Sequence, residues 1–290
     1  MSANVLPGPP IGSHVPVAGG LATGGLAYAG KVGAAAIQVF VGNPRGWALA
    51  AGDPSEDTAL RRHVAEHGLP VYIHAPYLVN LGSPTPATLQ RSVAAVRHGL
   101  ERGARIGARG VVVHTGSAVG GNRRADALAQ VHDHLLPLLE EIPDDGPDLL
   151  LEPMAGQGHM LCARAAELGP YLAALEGHPR AGVCLDTCHA FAAGHDLTTA
   201  GGVAETFAEL AEHAPGRLRL IHANDSMDVR GSKRDRHATI GEGHIGEAGF
   251  TALLAHPPAT TVPWIVETPG GADGHAKDIA TLARLRAAVS

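Results

Sequence analysis

Val71-Tyr-Ile-His-Ala75 and Gly110-Val-Val-Val-His-Thr115 are short, mostly apolar runs, and the stretch between them spaces Leu89, Val93, Val96 and Leu100 at helical intervals. Continuous rather than alternating hydrophobicity suits a parallel strand covered on both faces. An apolar stripe every three or four residues suits a helix lying on such a sheet. The segment therefore predicts strand, helix, parallel strand, and the unit repeats in both directions along the chain. Before it lie the runs Ile11–Ser13 and Ile37–Phe40; after it lie Leu149–Pro153, Val183–His189, Leu218–Ala223 and Trp264–Thr268. Helix-compatible stretches alternate with them at Gly20–Val32, Glu56–Glu66, Ala87–Ile106, Arg124–Glu141, Cys162–Glu176, Val203–Ala214, Gly246–Ala255 and Lys277–Val289. Eight such units predict an α/β fold, a closed (β/α)8 TIM barrel whose chemistry sits at the C-terminal rim of the strands. An open doubly wound sheet would carry a GxGxxG loop after its first strand, and Gly12-Ser-His-Val-Pro-Val-Ala-Gly-Gly20 lacks that spacing.

The 290 residues are expected to form one barrel domain. Pro/Gly-rich pieces such as Asp144–Pro147 and Thr268–Gly274 have the length of single turns, not of linkers. Residues 1–10 are expected to be a loose extension, and Met1–Pro10 has neither the basic head nor the apolar core of a signal peptide. Hydrophobic residues make up 45% and charged residues 17%, which excludes a disordered chain. Mean hydropathy is +0.05, but no apolar run reaches the roughly 18 residues of a membrane span. Aromatics are only 3%, so Val, Leu, Ile and Ala must build the core. Three cysteines, Cys162, Cys184 and Cys188, are too few for a disulfide framework and point to reduced thiols in the cytoplasm.

The ends of the predicted strands carry the chemistry. The third strand ends in His74, the fourth in His114, the fifth in Glu152, the sixth in Asp186 with His189, the seventh in His222 and the eighth in Glu267. Any one of these would pass for a hydrogen-bonded strand end, but six consecutive strands deliver such a group to one rim. Imidazole and carboxylate together are the ligand set for Zn, Mn or Fe(II). Asp235 and His237, in the loop Arg230-Gly-Ser-Lys-Arg-Asp-Arg-His237, are two apart and can grip one ion if that loop is extended. One catalytic zinc takes about three protein ligands, so nine candidates with one shared carboxylate would serve three ions. Cys184 and Cys188 form a single CxxxC, a weaker zinc signal than the Asp and His between and beside them. The histidines in or beside helices, His63, His67, His98, His132, His134, His178, His213 and His256, are read as surface or partly buried residues. His14 and His159 are rim candidates outside the ligand set.

Four strings, His74-Ala-Pro-Tyr-Leu-Val-Asn-Leu-Gly82, Cys184-Leu-Asp-Thr-Cys-His-Ala-Phe-Ala-Ala-Gly194, His222-Ala-Asn-Asp225 and Asp235-Arg-His237 with Gly241-Glu-Gly243, resemble the endonuclease IV family of apurinic/apyrimidinic endonucleases. The resemblance runs from Ile11 to about Pro269. It implies a barrel with three zinc ions per chain that cleaves double-stranded DNA 5′ to an abasic site and leaves a 3′-hydroxyl. It also implies that His74 and His114 hold the first ion and that Glu152 bridges the first and second. Asp186, His222 and Glu267 would complete the second, and His189, Asp235 and His237 would hold the third. By the same resemblance Arg45, Tyr77 and Leu78 insert into the duplex, while Trp47 is equally a residue packed beneath its loop. Two departures stand out: Pro153-Met154 replaces an Asn-Thr pair found after the bridging glutamate in a family member, and Gly42 replaces a Lys. Proline lacks a donor for the bridging carboxylate, and Gly42 removes a phosphate contact.

A hydroxide between two zinc ions would attack phosphorus, because zinc lowers the pKa of bound water toward about 7. Glu152 is the expected bridge and Glu267 a base that orients the nucleophile, with Thr115 and Ser117 left as loop residues. Formal net charge is −6, an apparent objection to a nucleic-acid partner, but three zinc ions would offset it. Arg230, Lys233, Arg234 and Arg236 concentrate positive charge locally as candidate phosphate contacts. No membrane and no obligate protein partner are expected. A metal-dependent sugar isomerase or epimerase on the same barrel is the competing expectation, but it leaves Asp235, His237, Arg45 and Tyr77 without a purpose. A non-enzymatic DNA-binding module leaves the convergent ligands without one.

Overall fold

Every predicted apolar run forms a strand in the computed structural model, which describes residues 8–289. The order is β1 (Ile11–His14), α1 (Thr23–Val32), β2 (Ile37–Val39), α2 (Pro54–His67), β3 (Val71–His74), α3 (Pro86–Ile106), β4 (Gly110–His114), α4 (Arg124–Glu140) and β5 (Asp148–Glu152). It continues with α5 (Leu168–Ala174), β6 (Ala181–Asp186), α6 (Thr187–Ala192), α7 (Ala200–His213), β7 (Leu218–His222), β8 (Asp225–Ser226), β9 (His237–Ala238), α8 (Gly246–Ala255), β10 (Trp264–Val266) and α9 (Gly271–Ala287). Strands β1 to β7 and β10 close into one barrel, β10 lying between β7 and β1, and every pair is parallel. This is a (β/α)8 TIM barrel. Helix α2 starts at Pro54 behind Asp53, whose carboxylate accepts from the Ser55 amide at 2.8 Å. Helix α3 stops at Gly107, whose φ of 73° suits a residue without a Cβ.

Side chains alternate across each strand, so residues two apart face the same way. Ala36, Tyr72, Val112, Leu150, Cys184, Leu220 and Ile265 point into the barrel and form an apolar cluster of their own. Their neighbours, among them Ile37, Ile73, Val111, Val113, Leu149, Leu151 and Val266, point outward into the larger core beneath the helices. Fully burying each of these Val, Leu or Ile side chains is worth about 1.5–3 kcal/mol. On β1 the corresponding inward position is Gly12, where a Cβ would lie 1.6 Å from the Ala36 carbonyl oxygen. The contact leaves no room for any other residue. Two positions after this floor, each strand presents a polar group: His14, Gln38, His74, His114, Glu152, Asp186, His222 and Glu267. The ring is therefore complete, and two strands beyond the expected six contribute to it.

Three elements differ from expectation. Cys162–Glu176 is helical only from Ala165, because Met154 N donates to Cys162 O and Leu161 N to Gly116 O, which holds that stretch extended. The sixth strand ends at Asp186, so His189 lies in α6 rather than on a strand. The Asp186 carboxylate caps that helix, accepting from the His189 amide at 2.8 Å. Finally, β8 and β9 form a small antiparallel ladder that brackets the basic loop. Of residues 1–10, positions 1–7 lie outside the described residues. The carbonyls of Pro9 and Pro10 accept from Arg286 Nη1 at 2.6 Å and Trp264 N at 2.8 Å. No helix among the described residues is long and apolar enough to cross a membrane.

Candidate metal centre

Glu152 sits at the middle of the ring, 1% exposed. Its Oε2 is 3.2 Å from His74 Nε2 and 3.4 Å from His114 Nε2, and its Oε1 is 3.1 Å from His222 Nδ1 and 3.4 Å from His189 Nδ1. Around it the possible ligand atoms fall into groups whose members lie within 4.8 Å of one another. One group is His74, His114 and Glu152; another is Glu152, Asp186, His222 and Glu267; a third is Asp186, His189 and His237. Asp235 joins the third side, 3.2 Å from His189 Nε2 and 3.1 Å from His237 Nε2. All nine residues singled out by sequence are thus brought together, with Glu152 common to the first two groups. Asp186 is common to the second and third, a sharing the sequence did not suggest.

The imidazoles are oriented from behind. His74 Nδ1 lies 2.6 Å from the Ala75 carbonyl, His189 Nδ1 3.0 Å from the Pro153 carbonyl and His237 Nδ1 3.2 Å from the Glu267 carbonyl. A carbonyl only accepts, so in each case Nδ1 carries the proton and Nε2 is left to coordinate. Pro153, a departure expected to cost a donor, therefore supplies an acceptor to this site through its backbone. Asn224 donates from Nδ2 to Asp186 Oδ2 at 2.7 Å and accepts from the Glu267 amide at 2.9 Å. Asp225 accepts from the amides of Ser226, Gly241, Gly243, Ile245 and Gly246, which folds the Gly-Glu-Gly turn against the rim. Neither residue stands at the end of a barrel strand, although both lie within His222-Ala-Asn-Asp225.

Electrostatics show what the cluster requires. Among the described residues none of Glu152, Asp186, Asp235 and Glu267 pairs with a Lys or Arg; all their ion-pair partners are histidines. Burial alone would raise Glu152, yet His222 and His114 hold its carboxyl well below the usual range. Burial also opposes charge on His237, but Asp235 and Asp186 outweigh it and lift its pKa to about 9. His114 is the opposite case, pushed down to about 4 chiefly by burial. His189 Nε2 and His237 Nε2 are buried without a well-formed hydrogen bond, although each faces an oxygen of Asp235. Four clustered carboxylates, neutral-capable imidazoles and two buried nitrogens aimed at a shared space fit divalent cations. Cys188 Sγ lies near Asp235 and His237, but burial pushes its thiol far up, and Cys184 is a floor residue inside the barrel.

The surface around the ring separates the proposed DNA contacts. Tyr77 and Leu78, in the loop after β3, are 49% and 38% exposed. The Tyr77 ring lies 5.4 Å from that of His74 and stacks at 5.8 Å on His114. Arg45 is exposed on the loop after β2, tied to that of Tyr77 by the Tyr77 amide donating to Pro44 O at 3.0 Å. Trp47 is partly buried and packs against the core, the blander of its two readings. Beside the ring a cleft of about 520 Å³ is lined by His14, Tyr28, Phe40, Gly42, Tyr77 and Glu267, among others. On the opposite side two acidic residues offset about half the charge of the basic loop. Arg230 pairs with Asp196 at 3.0 Å, Arg236 grips Asp228 through two nitrogens at 2.7 and 2.5 Å, and Arg234 lies 3.6 Å from Asp228. Of the four cations only Lys233 has no acidic partner among the described residues.

Residues 26–285 match a family described as the xylose isomerase-like TIM barrel. A protein of Streptomyces coelicolor named probable endonuclease 4 is 58% identical over 287 residues, covering 98% of each chain. Among solved structures, endonuclease IV from Thermus thermophilus superposes with a TM-score of 0.83 at 34% identity, covering 96% of this chain and 98% of that one. A D-tagatose 3-epimerase-like protein superposes with a TM-score of 0.74 at 19% identity over 97% of this chain and 98% of its own, a likeness of fold alone.

Proposed function

Since the chain belongs to the endonuclease IV family and is an endodeoxyribonuclease, we propose that it repairs DNA by incising 5′ to apurinic/apyrimidinic sites, leaving a 3′-hydroxyl, with three zinc ions per chain. The observation that carries this reading is the convergence of nine ligand-type side chains in contiguous groups around the shared carboxylate of Glu152. His74, His114 and Glu152 would hold one ion, Glu152, Asp186, His222 and Glu267 the second, and His189, Asp235 and His237 the third. When bound, zinc supplies an acidified water and positive charge at the phosphate. Glu152 and Glu267 are both ionised in this environment; Glu152 would bridge two ions, and Glu267 remains as the acceptor for the proton given up by the nucleophile.

Tyr77 and Leu78 stand exposed at the ring edge, where they can fill the space left by a missing base, and Arg45 stands beside them. Lys233 and the arginines of its loop face the phosphates, positioning the duplex without reading its sequence. We read the chain as one barrel domain acting in the cytoplasm on double-stranded DNA, without an obligate protein partner. The test is elemental analysis beside a nicking assay on a duplex with a single abasic site. About three zinc ions per chain and incision 5′ to the lesion are expected. One ion per chain with no activation by added zinc overturns the trinuclear reading, and an intact abasic strand overturns the substrate. The Asp235→Ala, His237→Ala double variant should lose incision, whereas a sugar isomerase using only the strand-end groups would tolerate it.

A further inference from the structure

Gln38 is the group that β2 contributes to the ring, and it is wholly buried. Its Nε2 donates to Glu267 Oε1 at 2.7 Å and lies 3.0 Å from His14 Nδ1, while its Oε1 lies 2.8 Å from His222 Nε2. These partners determine which way the amide faces. A carboxylate only accepts, so the nitrogen must face Glu267 and the oxygen must face His222. That oxygen also only accepts, so His222 carries a proton on Nε2 and turns Nδ1 inward. There Nδ1 lies 3.1 Å from Glu152 and 3.2 Å from Glu267. The second amide hydrogen points at His14 Nδ1, which accepts it. Both donors and the acceptor of this buried side chain are used.

For His74, His189 and His237 the orienting acceptor is a backbone carbonyl, present whatever the local side chain. For His222 it is a side chain. We propose that Gln38 is a positioning residue for the group formed by Glu152, Asp186, His222 and Glu267. It presents His222 through Nδ1 and occupies Glu267 Oε1, which leaves Oε2 to the group. This rests on the metal reading given above. Without the amide, His222 can place its proton on the inward nitrogen, where it blocks coordination, and Glu267 can rotate away. Loss of such an outer partner typically lowers metal affinity about 10- to 100-fold.

The experiment uses the full-length zinc-loaded protein, with Gln38→Met to keep side-chain volume and Gln38→Ala to remove it. Stepwise withdrawal of zinc by a competing chelator reads the affinity of each ion. In both variants one ion should bind about 10- to 100-fold more weakly while the other two release as in the parent. In an incision assay kcat should fall with KM for the abasic duplex unchanged, and circular dichroism of the metal-stripped variants should match the parent. If Gln38→Met releases all three ions as the parent does, or weakens all three alike, the assignment is wrong and Gln38 only fills the barrel. If the parent itself never holds an ion at the His222 group, the metal reading fails, and this inference with it.

Discussion

The ion pairs of the basic loop bear directly on how the protein holds DNA. Arg230, Lys233, Arg234 and Arg236 carry four positive charges, but Asp196 and Asp228 return two, so the loop presents a net charge of about +2. Each phosphate neutralised adds about 0.9 to the slope of log affinity against log salt. Four free cations would contribute about 3.6 to that slope, and the paired loop about half of it. Asp228→Asn removes the negative charge shared by Arg234 and Arg236 without changing the side chain's shape, and should steepen the slope by about 0.9. Between 50 and 200 mM salt the variant should therefore lose about 3.5-fold more affinity than the parent. It should bind more tightly than the parent at the low end. Lys233→Ala should shift the slope by a similar amount in the opposite direction. The assay is fluorescence anisotropy on an intact duplex, which is not incised, across a salt series. An Asp228→Asn slope equal to the parent's would mean that DNA already displaces Asp228, and the cancellation argument would fail.

Glu152→Gln keeps the side-chain shape but removes the charge shared by two ligand groups; incision should fall by at least about 100-fold and zinc content should drop, measured by nicking and metal analysis. Wild-type nicking would remove Glu152 from the mechanism. Tyr77→Ala should weaken binding to an abasic duplex by about tenfold, the loss of one stacking contact worth about 1–3 kcal/mol, and leave the salt slope alone. Equal loss on intact duplex would make Tyr77 a loop-packing residue. In the metal-free protein His189 and His222 are raised and His237 is lifted to about 9, so His237 is protonated at neutral pH, whereas His114, near 4, is not. A cation must displace the proton of His237, so apparent zinc affinity should climb as pH rises toward 9. Calorimetric titration in buffers of different ionisation heat reads the released protons, and no release refutes the sign. Gly12→Ala should destabilise the barrel by about 3 kcal/mol or more, seen as a lower Tm, because its Cβ meets the Ala36 carbonyl at 1.6 Å.

Much of this was legible in the sequence for one physical reason. In a parallel barrel the strands are apolar on both faces, so a His or carboxylate at a strand's end stands out against Val-Val-Val or Leu-Leu-Leu. That contrast exposed His74, His114, Glu152, Asp186, His222 and Glu267. Gln38 escaped because it lies inside the run Ile37–Phe40 and because an amide is neither charged nor a usual ligand. The signal was still available: Gln38 follows Ala36 by two, as His74 follows Tyr72. His189 reads as a strand end because nothing in Asp186-Thr-Cys-His189 declares that Asp186 caps a helix; only its carboxylate on the His189 amide does so. The ladder of β8 and β9 is two residues long on each side, too short to leave a periodic trace. Arg230 meets Asp196 across 34 positions of chain, a pairing no local pattern reveals.

The two-residue step between barrel floor and polar ring also limits how such a chain can change in length. A residue gained or lost within a strand would turn its ring group outward among the leucines and valines under the helices, and would bring an aliphatic side chain into the ring. Loops have no such parity. Descendants of this sequence can therefore lengthen or shorten the segments between strands and helices, and so reshape the face that meets DNA. Within Val71–His74, Gly110–His114 or Asp148–Glu152 they can exchange one residue for another but not alter the count.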